Sequence, residues 1–209
     1  MPLRPGRLTL LTLASLLALV AAPAHAALTL ELDYGLARPP SGGLEQALDG
    51  AGKESDLFAT SLQVIGGAVL LDLGGLELGA VADSTSGKDS PSQTAVGGLF
   101  GVRFGDKLRL ELLGEAGGHR YGDFLQNPDV VTASSKEEWL FYVGLRPGFA
   151  YRFDLIPKGP GLVLGIWAFA RWDVKSKDVP VTVGSGGSPG TLSLGGTSIG
   201  ATLRAGIEF

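Results

Sequence analysis

From Ala27 onward, apolar and polar residues alternate with a period of two. In 27–37, Leu28, Leu30, Leu32, Tyr34 and Leu36 hold one parity, and Thr29, Glu31, Asp33 and Gly35 hold the other. A helix would mix Glu31 and Asp33 with the leucines. A strand separates them, because successive side chains point to opposite faces. The same alternation predicts eight strands, near 27–37, 57–72, 76–83, 94–104, 108–120, 138–153, 162–174 and 191–209. The 57–72 segment is the least regular, with Ile65, Val69 and Leu71 on its nominally polar face.

The connections between these segments also alternate. Gly74-Gly75, Gly105-Asp106-Lys107 and the Pro157–Gly161 stretch are tight, while 38–56, 84–93, 121–137 and 175–190 read as longer polar loops. Short and long connections on alternating sides describe an up-and-down antiparallel meander, and eight strands bring the last beside the first. The 33 glycines in 209 residues argue against a helical domain. A charged fraction of only 18% argues against a disordered or nucleic-acid-binding chain. The absence of Cys excludes a disulfide framework, a thiolate metal site and a Cys nucleophile. Pro147 donates no ladder bond and predicts a bulge or local break in the sixth strand. Gly195-Gly196 predicts another bulge, because apolar parity shifts between Leu194 and Ile199.

Residues 1–26 read as a secretory signal. Arg4 and Arg7 make a positive start, Leu8 to Ala22 is rich in Leu and Ala, and Ala24-His25-Ala26 fits small-x-small cleavage. The expected organisation is a signal peptide over 1–26 and one β-barrel domain over 27–209. Cleavage would leave His119 as the single histidine. No later apolar stretch approaches the roughly 18 residues of a membrane helix.

Two architectures accept eight alternating strands. A soluble barrel buries its apolar face inside, and a membrane barrel turns that face outward around a polar lumen. Three features favour the second. The aromatics of the apolar face fall in two groups: Phe104, Tyr151, Phe153 and Phe209 near one rim, Tyr34, Phe58, Trp139, Phe141 and Trp172 near the other. Two girdles around an aliphatic band are the membrane-interface pattern. Secondly, the lysines lie in loops, turns or their edges, whereas Arg103, Arg109, Arg146, Arg152, Arg171 and Arg204 lie on the polar strand face. Glu31, Asp33, Glu77, Asp83, Glu111, Glu115, Asp173 and Glu208 share that face, and Arg suits buried pairing with carboxylates. Thirdly, Leu203, Ala205, Ile207 and Phe209 make an alternating C-terminal strand that ends on an aromatic residue.

With its end "LRAGIEF", the chain resembles the small Gram-negative outer-membrane barrels: the OmpA transmembrane domain, OmpX and the OmpW-like proteins. The resemblance rests on architecture and that terminal strand. It implies an eight-stranded antiparallel barrel in the outer membrane, with periplasmic termini and extracellular long loops. It also implies contacts with outer-membrane lipid and lipopolysaccharide, and recognition of the last strand by the barrel-assembly machinery. OmpA-type chains often carry a peptidoglycan-binding domain after the barrel; the end at Phe209 predicts none here.

An eight-stranded interior is just wide enough for side chains to fill. The expected lumen is therefore a plug of Arg–carboxylate pairs drawn from Glu31, Asp33, Glu77, Arg103, Arg109, Glu111, Glu115, Arg146, Arg152, Arg171, Arg204 and Glu208. The expected role is structural and surface-exposed, with four loops displayed and no catalysis. Alternatively, Leu99, Leu113, Leu140, Val163, Trp167 and Phe169 line a small pocket, making a narrow channel or carrier as in the OmpW-like proteins. A lipid A-modifying enzyme has the least support. His119 has Gly117 and Tyr121 two residues away and no Ser in register, so it lacks the nucleophile pair; it reads as a rim residue bonded to Glu115 or a loop. No cofactor, metal or nucleic-acid partner is expected.

Overall fold

The computed structural model describes residues 26–38, 62–87, 90–122, 126–127, 131–133, 137–157, 159–183 and 188–209. The signal segment up to His25, and Phe58, lie outside the described residues. Eight strands form the barrel: β1 (Ala26–Arg38), β2 (Leu62–Leu73), β3 (Leu76–Gly87), β4 (Ser90–Phe104), β5 (Leu108–Tyr121), β8 (Glu138–Asp154), β9 (Gly161–Asp173) and β12 (Thr197–Glu208). Four others, β6 (Gln126–Asn127), β7 (Val131–Ala133), β10 (Lys177–Val183) and β11 (Ser188–Leu194), make a separate sheet.

The barrel closes in the order β1-β12-β9-β8-β5-β4-β3-β2, antiparallel throughout. Closure leaves no unpaired edge among these eight strands. The last residue completes the seam: Phe209 N–H donates to Leu28 O at 2.9 Å, and Leu28 N–H donates to Phe209 O at 3.2 Å. Gly74 and Gly75 take positive φ of 78° and 99° in the β2–β3 turn, where Gly75 N–H donates to the Asp72 carboxylate at 2.7 Å. A two-residue turn between twisted strands needs such left-handed backbone.

The alternation maps onto two faces, and the polar one is inside. Glu31 and Asp33 are 5% and 3% exposed, while Leu32 between them is 75% exposed. Leu28, Leu30, Phe100, Leu110 and Leu203 also face outward. This is the reverse of a soluble barrel.

The structure corrects the reading at several places. β2 is described from Leu62, with 57–61 outside the described residues, and its parity is the opposite of the nominal one. Leu62, Val64, Ala68 and Leu70 are buried inside, whereas Ile65 and Val69 join the exposed wall. Both faces of this strand are apolar, so alternation cannot tell them apart. The 84–93 stretch is mostly strand, since β3 and β4 extend into it. The stretches 121–137 and 175–190 contain the small sheet, whose β10–β11 hairpin runs on from β9 and back into β12. The expected 191–209 strand is broken into β11 and β12 at Gly195-Gly196, with φ of 106° and 137°. At Pro147 the expected local break is present and a bulge is not: the pairs of Arg146 and Pro147 are missing from the β8–β9 ladder, and the register is the same on both sides. A register shift lies instead between Thr85 and Gly87.

Candidate functional site: the charged lumen

The charged residues expected inside are inside, and most meet partners from distant strands. In the loop-side half, Arg146 of β8 and Arg171 of β9 share the carboxylates Asp83 and Glu115, and Arg146 holds a third, Asp33. Arg146 donates to Asp33 at 3.1 Å, Asp83 at 3.2 Å and Glu115 at 3.3 Å. Arg171 donates to Glu115 at 2.9 Å and grips both oxygens of Asp83, one of them at 2.8 Å. Tyr142 Oη donates to Glu115 at 2.5 Å. The side chains of Arg146 and Glu115 are 1% and 0% exposed, so these ions depend on one another and not on water.

The middle of the lumen is built around Arg204. Its guanidinium lies 2.5 Å from Glu111 and 3.3 Å from Glu31. Trp167 Nε1 donates to Glu31 at 3.2 Å, and Arg204 stacks 4.2 Å from the centre of the Trp167 ring. Glu77 is buried here as well, at 3% exposure, and its Oε2 has no hydrogen-bond partner among the described residues.

The turn-side half inverts the pattern, with one carboxylate gathering three arginines. Glu208 lies 2.6 Å from Arg109, 2.7 Å from Arg152 and 3.3 Å from Arg103. Arg103 also pairs with Asp72, and Arg152 with Asp154. Thr29 Oγ1 donates to Glu208 at 3.4 Å.

Asp72 and Tyr121 were absent from the sequence reading of the lumen, whereas Tyr142 lies on the polar face of its strand with Arg146. Asp72 escaped because the parity of its strand was reversed; its place two residues before a Gly-Gly turn was a usable signal. His119 is buried inside near the loop-side end of the barrel, paired in register with Leu140. Its Nδ1 lies 3.3 Å from Asp173, not against Glu115. Tyr121 Oη donates to the other Asp173 oxygen at 2.5 Å.

The six residues of the proposed pocket separate. Leu99, Leu113 and Trp167 pack in one cluster with Ala68, Leu70 and Val81. Phe169 packs with Ala37 and Val64, with Arg171 over its ring at 4.5 Å. Val163 is fully buried, and Leu140 lies beside Gly195 at the loop end. Glycine makes this filling possible: a Cβ on Gly148 would overlap the Trp167 ring. Among the described residues no group of His, Asp or Glu is placed to hold a metal ion.

On the outer wall, Phe104, Tyr151, Phe153 and Phe209 are exposed toward the turn side. Tyr34, Trp139, Phe141 and Trp172 are exposed toward the loop side. Phe100, four residues from Phe104, and Phe149, two from Tyr151, are also exposed, so the band between is not purely aliphatic. Leu203, Ala205, Ile207 and Phe209 all face outward on β12 or at its end. No protein-family model and no curated protein matches the chain.

Proposed function

We propose that this chain is an outer-membrane barrel protein, exported by a cleaved signal and inserted through its C-terminal strand by the barrel-assembly machinery. Its role is structural and surface-exposed, without catalysis, and its lumen is plugged. The observation that carries this reading is the inverted burial. A contiguous wall of exposed Leu, Val, Ile and Phe surrounds a core of ion pairs, far beyond the few hundred Å² of apolar patch a soluble monomer tolerates. Every barrel strand, at 12 to 17 residues, exceeds the roughly 9–11 needed to cross a bilayer with tilt. In this orientation the small β6–β7–β10–β11 sheet belongs to the displayed side, and outer-membrane lipid and lipopolysaccharide surround the wall.

A narrow channel or carrier through Trp167 and Phe169 has less support, because arginines lie against both rings. Planar-bilayer recording separates the two readings. A plugged barrel gives no steady open-channel current, and a sustained current from the unmodified protein would overturn the plug. Cell fractionation and heat-modifiable gel migration test the location; recovery as a soluble periplasmic monomer would overturn it.

A further inference from the structure

The outer wall is not uniform. An open groove of about 570 Å³ crosses the seam where the first and last strands meet. Leu32 and Tyr34 of β1, Ile65 of β2, Leu164 of β9 and Leu203 and Ala205 of β12 form its sides. The register explains the depression. Gly67, Leu32, Ala205 and Leu164 lie in one row across four strands, so the short Ala205 sits between two leucines. The next row, Ile65, Tyr34, Leu203 and Ile166, is uniformly tall. The volume lies in the range of pockets that take small molecules.

Above this groove the seam becomes polar. Arg38 continues the outward parity of Leu32, Tyr34 and Leu36 at the loop-side end of β1, and it is exposed. It pairs in register with Ile199, and Gln63 on the neighbouring strand is exposed beside Leu36. Arg38 makes no ion pair among the described residues, in contrast to the other outward arginine, Arg120, which holds Glu137 at 2.7 Å. From Tyr34 to Arg38 is four residues, roughly 13 Å of strand.

We infer that this seam is a lipid site: the groove takes one acyl chain of an anionic lipid whose phosphate sits on Arg38. The inference rests on the membrane reading above. An acyl chain matches the apolar lining, the guanidinium, unpaired among the described residues, matches a phosphate oxygen pair, and Tyr34, on the side of the groove nearest Arg38, stands at the interfacial position favoured by its ring. A second copy of this chain would satisfy the groove but would leave Arg38 without an acid, since the outer face of this seam presents no carboxylate among the described residues.

The test uses the full mature chain refolded in nonionic detergent, with gel mobility reporting barrel formation in each sample. Dioleoyl phosphatidylglycerol, dioleoyl phosphatidylcholine or inorganic phosphate is added, and native mass spectrometry reads what the folded protein retains. The expected result is one retained phosphatidylglycerol, preferred over phosphatidylcholine, with no retention of free phosphate. Ala205→Phe and Leu164→Trp fill the groove and should lower retention about ten-fold; the second lies outside the terminal strand, in case the first folds poorly. Arg38→Gln should keep the chain site and erase the headgroup preference. A folded barrel that retains no lipid, retention by both filled variants equal to that of the unmodified protein, an unchanged preference in Arg38→Gln, or a groove-dependent dimer would each overturn the assignment. A chain that forms no barrel in detergent or lipid would overturn the membrane reading with it.

Discussion

The two ends of the lumen solve the same problem with opposite charge. On the loop side, two arginines sit among three carboxylates, and all are within a few per cent of full burial. On the turn side, one glutamate sits among three arginines, of which Arg103 and Arg152 keep 12% and 20% of their side-chain surface in contact with solvent. The difference follows from position. A guanidinium near the turn-side mouth can exchange a lost protein partner for water. One enclosed between Trp167, Phe169 and Tyr142 cannot. The loop-side cluster is therefore the lock of the barrel, and the turn-side cluster is a hydrated end cap.

The sharpest way to break this comparison is Arg146→Met. It strands Asp33, which has no other ion-pair partner among the described residues, and leaves Asp83 and Glu115 to Arg171 alone. Removing one member of a buried ionic group costs about 3–5 kcal/mol, because the remaining charges stay desolvated. Urea unfolding of the refolded barrel in lipid vesicles should show that loss. A change below about 1 kcal/mol would place the cluster in contact with water.

How much of this was legible in the sequence depends on whether the two faces of a strand differ chemically. They do in β1, β3, β4, β5, β8, β9 and β12, and there alternation placed Glu31, Arg109, Arg146, Arg204 and their neighbours inside correctly. They do not in β2, whose inner Val64 and Leu70 look like its outer Ile65 and Val69. Which acid each arginine meets was not legible either. Arg146 and Asp33 are 113 residues apart, and they converge only because strand tilt and register bring them to one level. The loop-side sheet was hidden by its Gly, Ser and Pro neighbours. Val179, Val181 and Val183 alternate with polar residues or proline, which is the strand signal of this segment.

A middle-sized effect is expected at the centre of the turn-side cluster. Glu208→Gln removes the charge shared by Arg109, Arg152 and Arg103, but Arg103 keeps Asp72 and Arg152 keeps Asp154. Only Arg109 is left with a neutral contact, the Asp106 carbonyl at 2.8 Å. The expected loss is about 1–3 kcal/mol, the range for an unsatisfied buried group. A loss as large as that of Arg146→Met would erase the distinction between the two ends.

The smallest effect should come from Arg152→Met. Glu208 retains Arg109 and Arg103, and Asp154 retains Lys107 at 2.9 Å. No buried charge is stranded, and the site borders solvent, so the loss should fall below about 1 kcal/mol, as for exposed ion pairs. Salt sharpens the contrast. Raising ionic strength screens charges that touch water and leaves enclosed ones largely unscreened. The difference between Arg152→Met and the unmodified protein should therefore shrink further at high salt, while that of Arg146→Met should persist. If both differences shrank together in the same vesicles, water would reach both ends of the lumen, and the loop-side cluster would be no lock.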